Sequence, residues 1–452
     1  MSMFKPLHLL FSSGRDTAHP VCHDGSRFVN WHEFACDVEA RVASLQDRSE
    51  SRWLLASNDP QDFCTSLLAL LHAGKQVVIP PNSQAGTIAQ LDNVFDAVVD
   101  GQAWPVSKNS PGSLAPINPH TAIIDIYTSG STGEPKQIRK TLAQFEAEII
   151  VLESLWGSTL GQATIVASAP HYHFYGLLFR LFWPLAAGRP FDTVTCLHPD
   201  VLAGRLRLLR DVVLVSSPAL LSRLPELVPL DSLQPQPRII FSSGGPLPRT
   251  VAREFHRQLG TAPTEVFGST ETGGIAWRCQ ENDDIWTVMP GIHIESGVDG
   301  ALLLLSPYIL GTELWRMDDA VEILSEECFY LRGRLDRIVK IEEKRLSLPD
   351  MEGRLAKHPW VATAAAVALP GRRQTIGAVV VLNTLGRQQL VTQSRRAVCL
   401  ALRRHLAEHF DTVLLPRRWR FPEQLPFNDR GKLTNLAVTE LLLSAEYASS
   451  IP

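Results

Sequence analysis

Through the first 335 residues, short unbroken apolar runs alternate with longer stretches in which apolar residues recur every three to four positions. The runs at 77–79, 122–126, 164–167, 212–215 and 238–241 have the length and β-branched content of buried strands. The stretches 31–45, 63–72, 142–155 and 249–259 carry the helical period. Strands alternating with helices predict an α/β architecture with largely parallel sheets. Pro80 and Pro81 stop the first run, because proline cannot donate to a ladder. Between 286 and 323 the runs shorten and read as a small barrel or sheet. At 333–337 the pattern changes again. Strand-like 364–368 and 377–382 and a helix at 393–409 predict a small α+β domain of ordinary size. The organisation expected is a large N-terminal domain, 1–335, of α/β subdomains plus a small β-barrel-like subdomain. A small mobile α+β domain, 336–452, follows it.

Composition adds exclusions. With 45% hydrophobic and 20% charged residues, the chain has the make-up of a soluble globular protein. A net charge of −4 argues against nucleic acid as the main partner. No apolar run approaches the ~18 residues a membrane span needs, since 301–305 is short and Arg180 and Pro184 break 177–185. The apolar patch after Lys5 is too brief for a secretory signal. Seven scattered cysteines without C-x-x-C indicate neither a disulfide framework nor a zinc site, so a cytoplasmic location is expected.

The chemistry concentrates at 127–136, YTSGSTGEPK. Gly130 and Gly133 let the backbone turn with N–H groups facing inward, as a loop around phosphate requires. Thr128, Ser129, Ser131 and Thr132 add hydroxyls, and Lys136 adds positive charge. It is not a Walker A loop, which needs G-x-x-x-x-G-K-[ST]. Residues 128–136 resemble the phosphate-gripping motif [ST]-[ST]-G-[ST]-T-G-x-P-K of the adenylate-forming superfamily, which includes acyl- and aryl-CoA ligases, peptide-synthetase adenylation domains and luciferase. The resemblance implies activation of a carboxylic acid with ATP to an acyl-adenylate and pyrophosphate, then transfer to a thiol.

Four further segments resemble the family's later motifs, in order. In TEVFGSTETGG (264–274), Phe267 and Gly268 precede Thr270 and Glu271, which by resemblance would meet the α-phosphate and hold Mg²⁺. In WRMDDAVEI (315–323), Asp319 falls at the ribose-binding aspartate, while Met317 and Asp318 replace a threonine and a glycine. In GRLDRIVKIEEKR (333–345), Arg334 would also reach the ribose and Asp336 would be the hinge of the small domain. Glu343 stands there in place of a glycine that faces the pantetheine thiol. In LPFNDRGKLTN (425–435), Lys432 would reach the adenylation site. A carboxylate attacking an α-phosphate brings two anions together, and a positioned ammonium offsets their repulsion.

For the acid, PHYHFYGL (170–177) resembles the segment lining the family's acyl pocket, with His173 and Tyr175 as substrate-facing residues and His173 counted among the catalytic candidates. Ser243, Gly244 and Gly245 in SSGGPLP (242–248) would form a second wall. The segment has no aspartate for an α-ammonium, which argues against amino acids. His173, Tyr175 and Phe267 favour an aryl or arylacrylic acid, as in the short aryl-activating enzymes of aryl-polyene or polyketide-like clusters. His171 and His173 could instead bind metal, but no third ligand sits at a recognisable spacing. The acceptor would be an acyl carrier protein or coenzyme A. Two alternatives remain open, a medium- or long-chain acyl-CoA ligase and a non-catalytic nucleotide-binding scaffold. Monomer and homodimer are equally compatible with the sequence.

Overall fold

A computed structural model describes residues 4–99, 114–129, 135–281, 283–341, 344–370, 374–427 and 433–444. The chain divides into two compact units. One is Met1–His293 with Leu305–Glu313 and Ser325–Cys328, and the other is Ile294–Leu304, Leu314–Leu324 and Phe329–Pro452.

In the first unit short helical turns at Leu7–Leu9 and Leu10–Ser13 precede a hairpin, β1 (Pro20–His23) and β2 (Phe28–Asn30). Three of its helices begin where short polar side chains satisfy the free N–H groups of a first turn. Asn30 and Glu33 form a reciprocal capping box at α1 (Trp31–Leu45), and Asp59 ahead of Pro60 caps α2 (Pro60–His72). Five strands make one sheet: β3 (Arg52–Leu55), β4 (Gln76–Ile79), β5 (Ala97–Val99), β6 (Ile123–Ser129) and β7 (Pro135–Thr141). They lie in the order β5-β3-β4-β6-β7, parallel except for the β6–β7 hairpin. Thr141 and Gln144 then cap α3 (Leu142–Leu160).

The second sheet of this unit contains β8 (Thr164–Ala167), β9 (Phe191–Thr195), β10 (Val212–Ser216), β11 (Ile240–Ser242), β12 (Thr264–Ser269), β13 (Gly273–Cys279) and β14 (Ile285–Val288). From β14 the order runs β13, β12, β11, β10, β8, β9, β1, β2. Strands β8 to β12 are parallel, and β12, β13 and β14 form an antiparallel meander. The runs read as buried strands are buried: Thr164–Ala167 and Val212–Ser216 have no exposed residue. The run at 238–241 becomes Ile240–Ser242, because Arg238 turns outward to pair with Asp211.

The second unit holds three pieces of strand structure, one of them the antiparallel hairpin Ile338–Ile341 with Lys344–Ser347. Strands at Ala301–Leu305 and Trp315–Ser325 pair antiparallel, with Ala301 opposite Ala320. Val361–Leu369 and Thr375–Leu382 pair antiparallel, and Arg418–Arg420 adds in parallel to the latter. One helix, Leu348–Leu355, packs with Arg395–Ala407 around a core that includes Met351, Leu355, Val380, Val398, Leu402 and Trp419. The helix expected at 393–409 starts at Arg395, where the Ser394 hydroxyl accepts from the Ala397 N–H. The helix Thr384–Thr392 before it shows no helical period in the sequence, since its apolar residues are few and two of them, Leu385 and Val391, are exposed. The α/β class with a small C-terminal α+β region is as the sequence pattern predicts.

Candidate active site

Two hairpins of the first unit build the site. In the first, Thr128 on β6 sits opposite Lys136 on β7, and Ser129 sits opposite Pro135. Both ends of the phosphate-loop candidate are therefore fixed at the tip of a ladder. Gly130, Ser131, Thr132 and Gly133 lie outside the described residues.

In the second hairpin, β12 and β13 are joined by Thr270, Glu271 and Thr272, with Ser269 opposite Gly273. Thr272 is fully buried and locks the turn. Its hydroxyl accepts from the Ser269 N–H at 3.0 Å and donates to the Gly273 carbonyl at 2.9 Å. Sequence reasoning passed over this threonine. The strands also approach too closely for any side chain at Gly268, where a Cβ would stand 2.1 Å from the Gly273 carbonyl oxygen. We expect Gly268→Ala to force the hairpin apart and cost about 1–3 kcal/mol of stability, the usual range for overpacking, measurable by denaturant unfolding.

The hairpins meet although their residues are 135 apart in sequence. Lys136 Nζ donates to Glu271 Oε1 at 2.7 Å, with Lys136 exposed and Glu271 half-buried. Burial works against ionisation of Glu271, but the Lys136 ammonium together with hydrogen bonds from its own backbone and from Ser269 holds the carboxyl below the usual carboxylate range. Two residues further along the same strand face from Ile138, Lys140 is buried. Its Nζ donates to the main-chain carbonyls of Glu271 and Tyr308, each at 2.6 Å. Below it on α3, Gln144 donates to the Tyr308 carbonyl at 2.9 Å, and the carboxylate of buried Glu148 accepts from the Gly274 N–H at 2.7 Å. Burial pushes the Lys140 ammonium down and the Glu148 carboxyl up. Sequence reasoning did not single out Lys140, Gln144 or Glu148. The one signal that could have found any of them is strand alternation through Ile138, which puts Lys140 on the same face as Lys136.

The acid-pocket candidates occupy the same unit. His173 precedes a short helical turn, Phe174–Gly176, which runs into a π-helical segment, Leu177–Phe182, a form frequent at functional sites. The loop closes so tightly that a Cβ at Gly176 would lie 1.9 Å from the Pro170 carbonyl oxygen. Phe174 packs against Phe145 and under the Lys140 ammonium, tying this segment to the scaffold behind Glu271. The Tyr175 ring packs at a tilt against Phe179, which contacts Phe241, and the shielded Tyr175 hydroxyl has no hydrogen-bond partner among the described residues. Burial raises its pKa well above the usual phenol value. His171 differs from His173. It is buried, its Nε2 donates to the Ser57 carbonyl at 2.9 Å, it packs on Phe63, and burial pushes it down to about 3, which marks it as a neutral core residue. Ser243 donates to the Val266 carbonyl at 2.8 Å, fixing the end of β11 beside β12, and Gly244 with φ +90° leaves open space next to it. Phe267 packs against Trp286.

The remaining candidates belong to the second unit or fall outside the description. Asp319 is buried on the strand Trp315–Ser325. Its neighbour Asp318 is exposed and meets Arg334 at 3.6 Å. Asp336 lies in the 3-10 turn Leu335–Arg337. Glu343 and Lys432 lie outside the described residues. Among the described residues no group of three or more His, Cys, Asp or Glu could hold a metal ion, and no helix is long and apolar enough to cross a membrane.

A family model described as AMP-binding enzyme matches residues 37–295. The chain is 28% identical to a 4-coumarate–CoA ligase of Halorhodospira halophila over 329 residues, covering 71% of this chain and 77% of that one. It is 21% identical to a 3,4-dihydroxybenzoate–[aryl-carrier protein] ligase of Bacillus anthracis, covering 90% and 97%. The ATP-bound structure of MatB from Rhodopseudomonas palustris superposes with a TM-score of 0.81 over 97% of this chain and 99% of that one, at 18% identity, a likeness of fold.

Proposed function

The chain belongs to the AMP-binding enzyme family and is an AMP-forming acid–thiol ligase, and from that premise we propose that its acid is an aryl or arylacrylic carboxylate. The observation that carries the site assignment is the meeting of Lys136 with Glu271, which joins the phosphate-loop flank to the Thr-Glu turn. In the proposed reaction a carboxylate oxygen attacks the α-phosphorus of ATP, and the bond to the β-phosphate oxygen breaks to release pyrophosphate. A thiol then attacks the acyl carbon and AMP leaves. Thr128, Ser129, Gly130, Ser131, Thr132, Gly133 and Lys136 would hold the phosphates, Thr270 the α-phosphate, and Asp319 and Arg334 the ribose. Lys432 would neutralise charge as the two anions approach. We assign residues 336–452 as a lid that turns about Asp336 between the two steps.

The donor set fits magnesium carried in with the nucleotide. Magnesium favours oxygen ligands and is commonly held by one or two carboxylates plus substrate phosphates. Glu271 offers such a carboxylate, with the Lys136 ammonium now standing as the cation at its oxygen. The metal would supply charge neutralisation across the phosphates.

His173, Tyr175, Phe267 and the glycines at 244 and 245 support a flat acid, and relatives named for coumarate, anthranilate and dihydroxybenzoate support the same class. The acceptor is a pantetheine thiol. Glu343, bulky where the family has glycine, favours a carrier protein over free coenzyme A. ATP–pyrophosphate exchange over benzoic, hydroxybenzoic, cinnamic, fatty and amino acids tests the substrate class. Exchange is expected with an aryl or cinnamic acid. Exchange confined to long-chain acids would replace the aryl reading with the fatty-acyl one.

A further inference from the structure

We infer that Lys140 is a positioning residue for nucleotide binding, clamping the backbone of the turn that presents Thr270 and Glu271. This rests on the reading of Glu271 as the carboxylate that meets magnesium.

A buried lysine needs a reason to be buried, because removing an ammonium from water is costly unless its donors are used. Lys140 is 3% exposed, and two of its donors go to carbonyls rather than to a carboxylate. One carbonyl is that of Glu271 itself. The other, at Tyr308, has a second donor in Gln144, so the fold does not depend on Lys140 there. Among the described residues, Lys140 is the side chain that donates to the Glu271 carbonyl. Lys136 and Lys140 thus grip one residue from one strand face, the first by its side chain and the second by its main chain. When nucleotide phosphates compete for Lys136, the grip of Lys140 persists and keeps the carboxylate aimed. Glu148 completes the clamp from α3. It binds the Gly274 N–H, and its Oε2 lies 2.5 Å from where a Cβ at Gly273 would stand, so the turn cannot slide toward the helix. Lys140 therefore acts from β7 at the middle of the turn, and Glu148 acts from α3 at the strand that follows it. Partners that orient a metal-binding group act on affinity without touching the ion.

The test uses the full chain with Lys140→Met, which keeps length and removes the donors. Binding of Mg·ATP is followed by displacement of a fluorescent ATP analogue across a magnesium series, beside thermal unfolding and pyrophosphate exchange. The expected result is a folded protein whose half-saturating magnesium concentration rises about 10- to 100-fold, the effect typical of losing an orienting partner. Gln144→Leu, which spares the Glu271 carbonyl, should leave the magnesium response at its wild-type value. Should Lys140→Met fail to fold, Lys140→Gln, too short to bridge both carbonyls, should give the same shift. A folded Lys140 variant with wild-type magnesium dependence overturns the inference, and so does an equal shift in Gln144→Leu. Glu271→Ala is run alongside. If it too leaves the magnesium response unchanged, the assignment of Glu271 fails, which is distinct from failure of Lys140 alone.

Discussion

Lys432→Ala is expected to abolish adenylation while leaving the fold intact. In the proposed reaction the carboxylate and the α-phosphate are both anionic, and the Lys432 ammonium would act only as they close on each other. Its loss should therefore appear in the chemical step more than in the binding of ATP. Losing one preorganised charge-stabilising group costs about 10²–10³ in rate, and loss of a full positive charge should lie at or above the top of that range. Pyrophosphate exchange measures it, with circular dichroism confirming the fold. A Lys432→Ala protein that exchanged at nearly the wild-type rate would move the cation's role to another residue and leave the C-terminal match as a surface turn.

Glu271→Gln should separate stability from chemistry. The change keeps the shape of the side chain and removes its charge. The ion pair it breaks joins an exposed lysine to a half-buried carboxylate, a pairing worth about 0–1 kcal/mol, so unfolding should move little. In the proposed reaction the nucleotide arrives with magnesium and a neutral amide is a poor magnesium ligand, so the functional loss should be much larger. Exchange should drop by about two orders of magnitude, as for loss of one preorganised electrostatic contact, and extra magnesium should restore part of it. Sensitivity to Lys140 but none to Glu271 would mean that the turn, and not its carboxylate, is what nucleotide recognises.

Local signals were legible in the sequence and distant ones were not. The helix at Trp31–Leu45 was readable from its apolar period, and the Asn30–Glu33 capping box fixes where it starts. Thr164–Ala167 was readable as a short apolar run, and all four of its residues are buried. The segment Leu177–Phe182 was not, since every residue in it is buried and no period shows which kind of helix it makes. In the site, Lys136 and Glu271 were each recognisable from their motifs, but their contact depends on how two sheets come together. Lys140 and Glu148 matched no motif, and their partners, Tyr308 and Gly274, lie 168 and 126 residues away. His171 and His173 look alike in an H-x-H pair, and only packing on Phe63 and the bond at Ser57 separates the first as structural.

The contact between Lys136 and Glu271 also bears on how the protein comes into being. It closes a loop of 135 residues, an entropic cost that grows only slowly with length but has to be met before the contact stabilises anything. The turn that holds Glu271 is anchored by β13, which ends at Cys279. A nascent chain must therefore emerge past that cysteine before the flank of the phosphate loop can find its partner. Until then Lys140 has no Glu271 carbonyl to bind, and its second carbonyl, at Tyr308, comes later still in the chain. Nucleotide recognition is thus a late property of the folded unit, gained when its distant halves have met, and no fragment ending short of Cys279 can possess it.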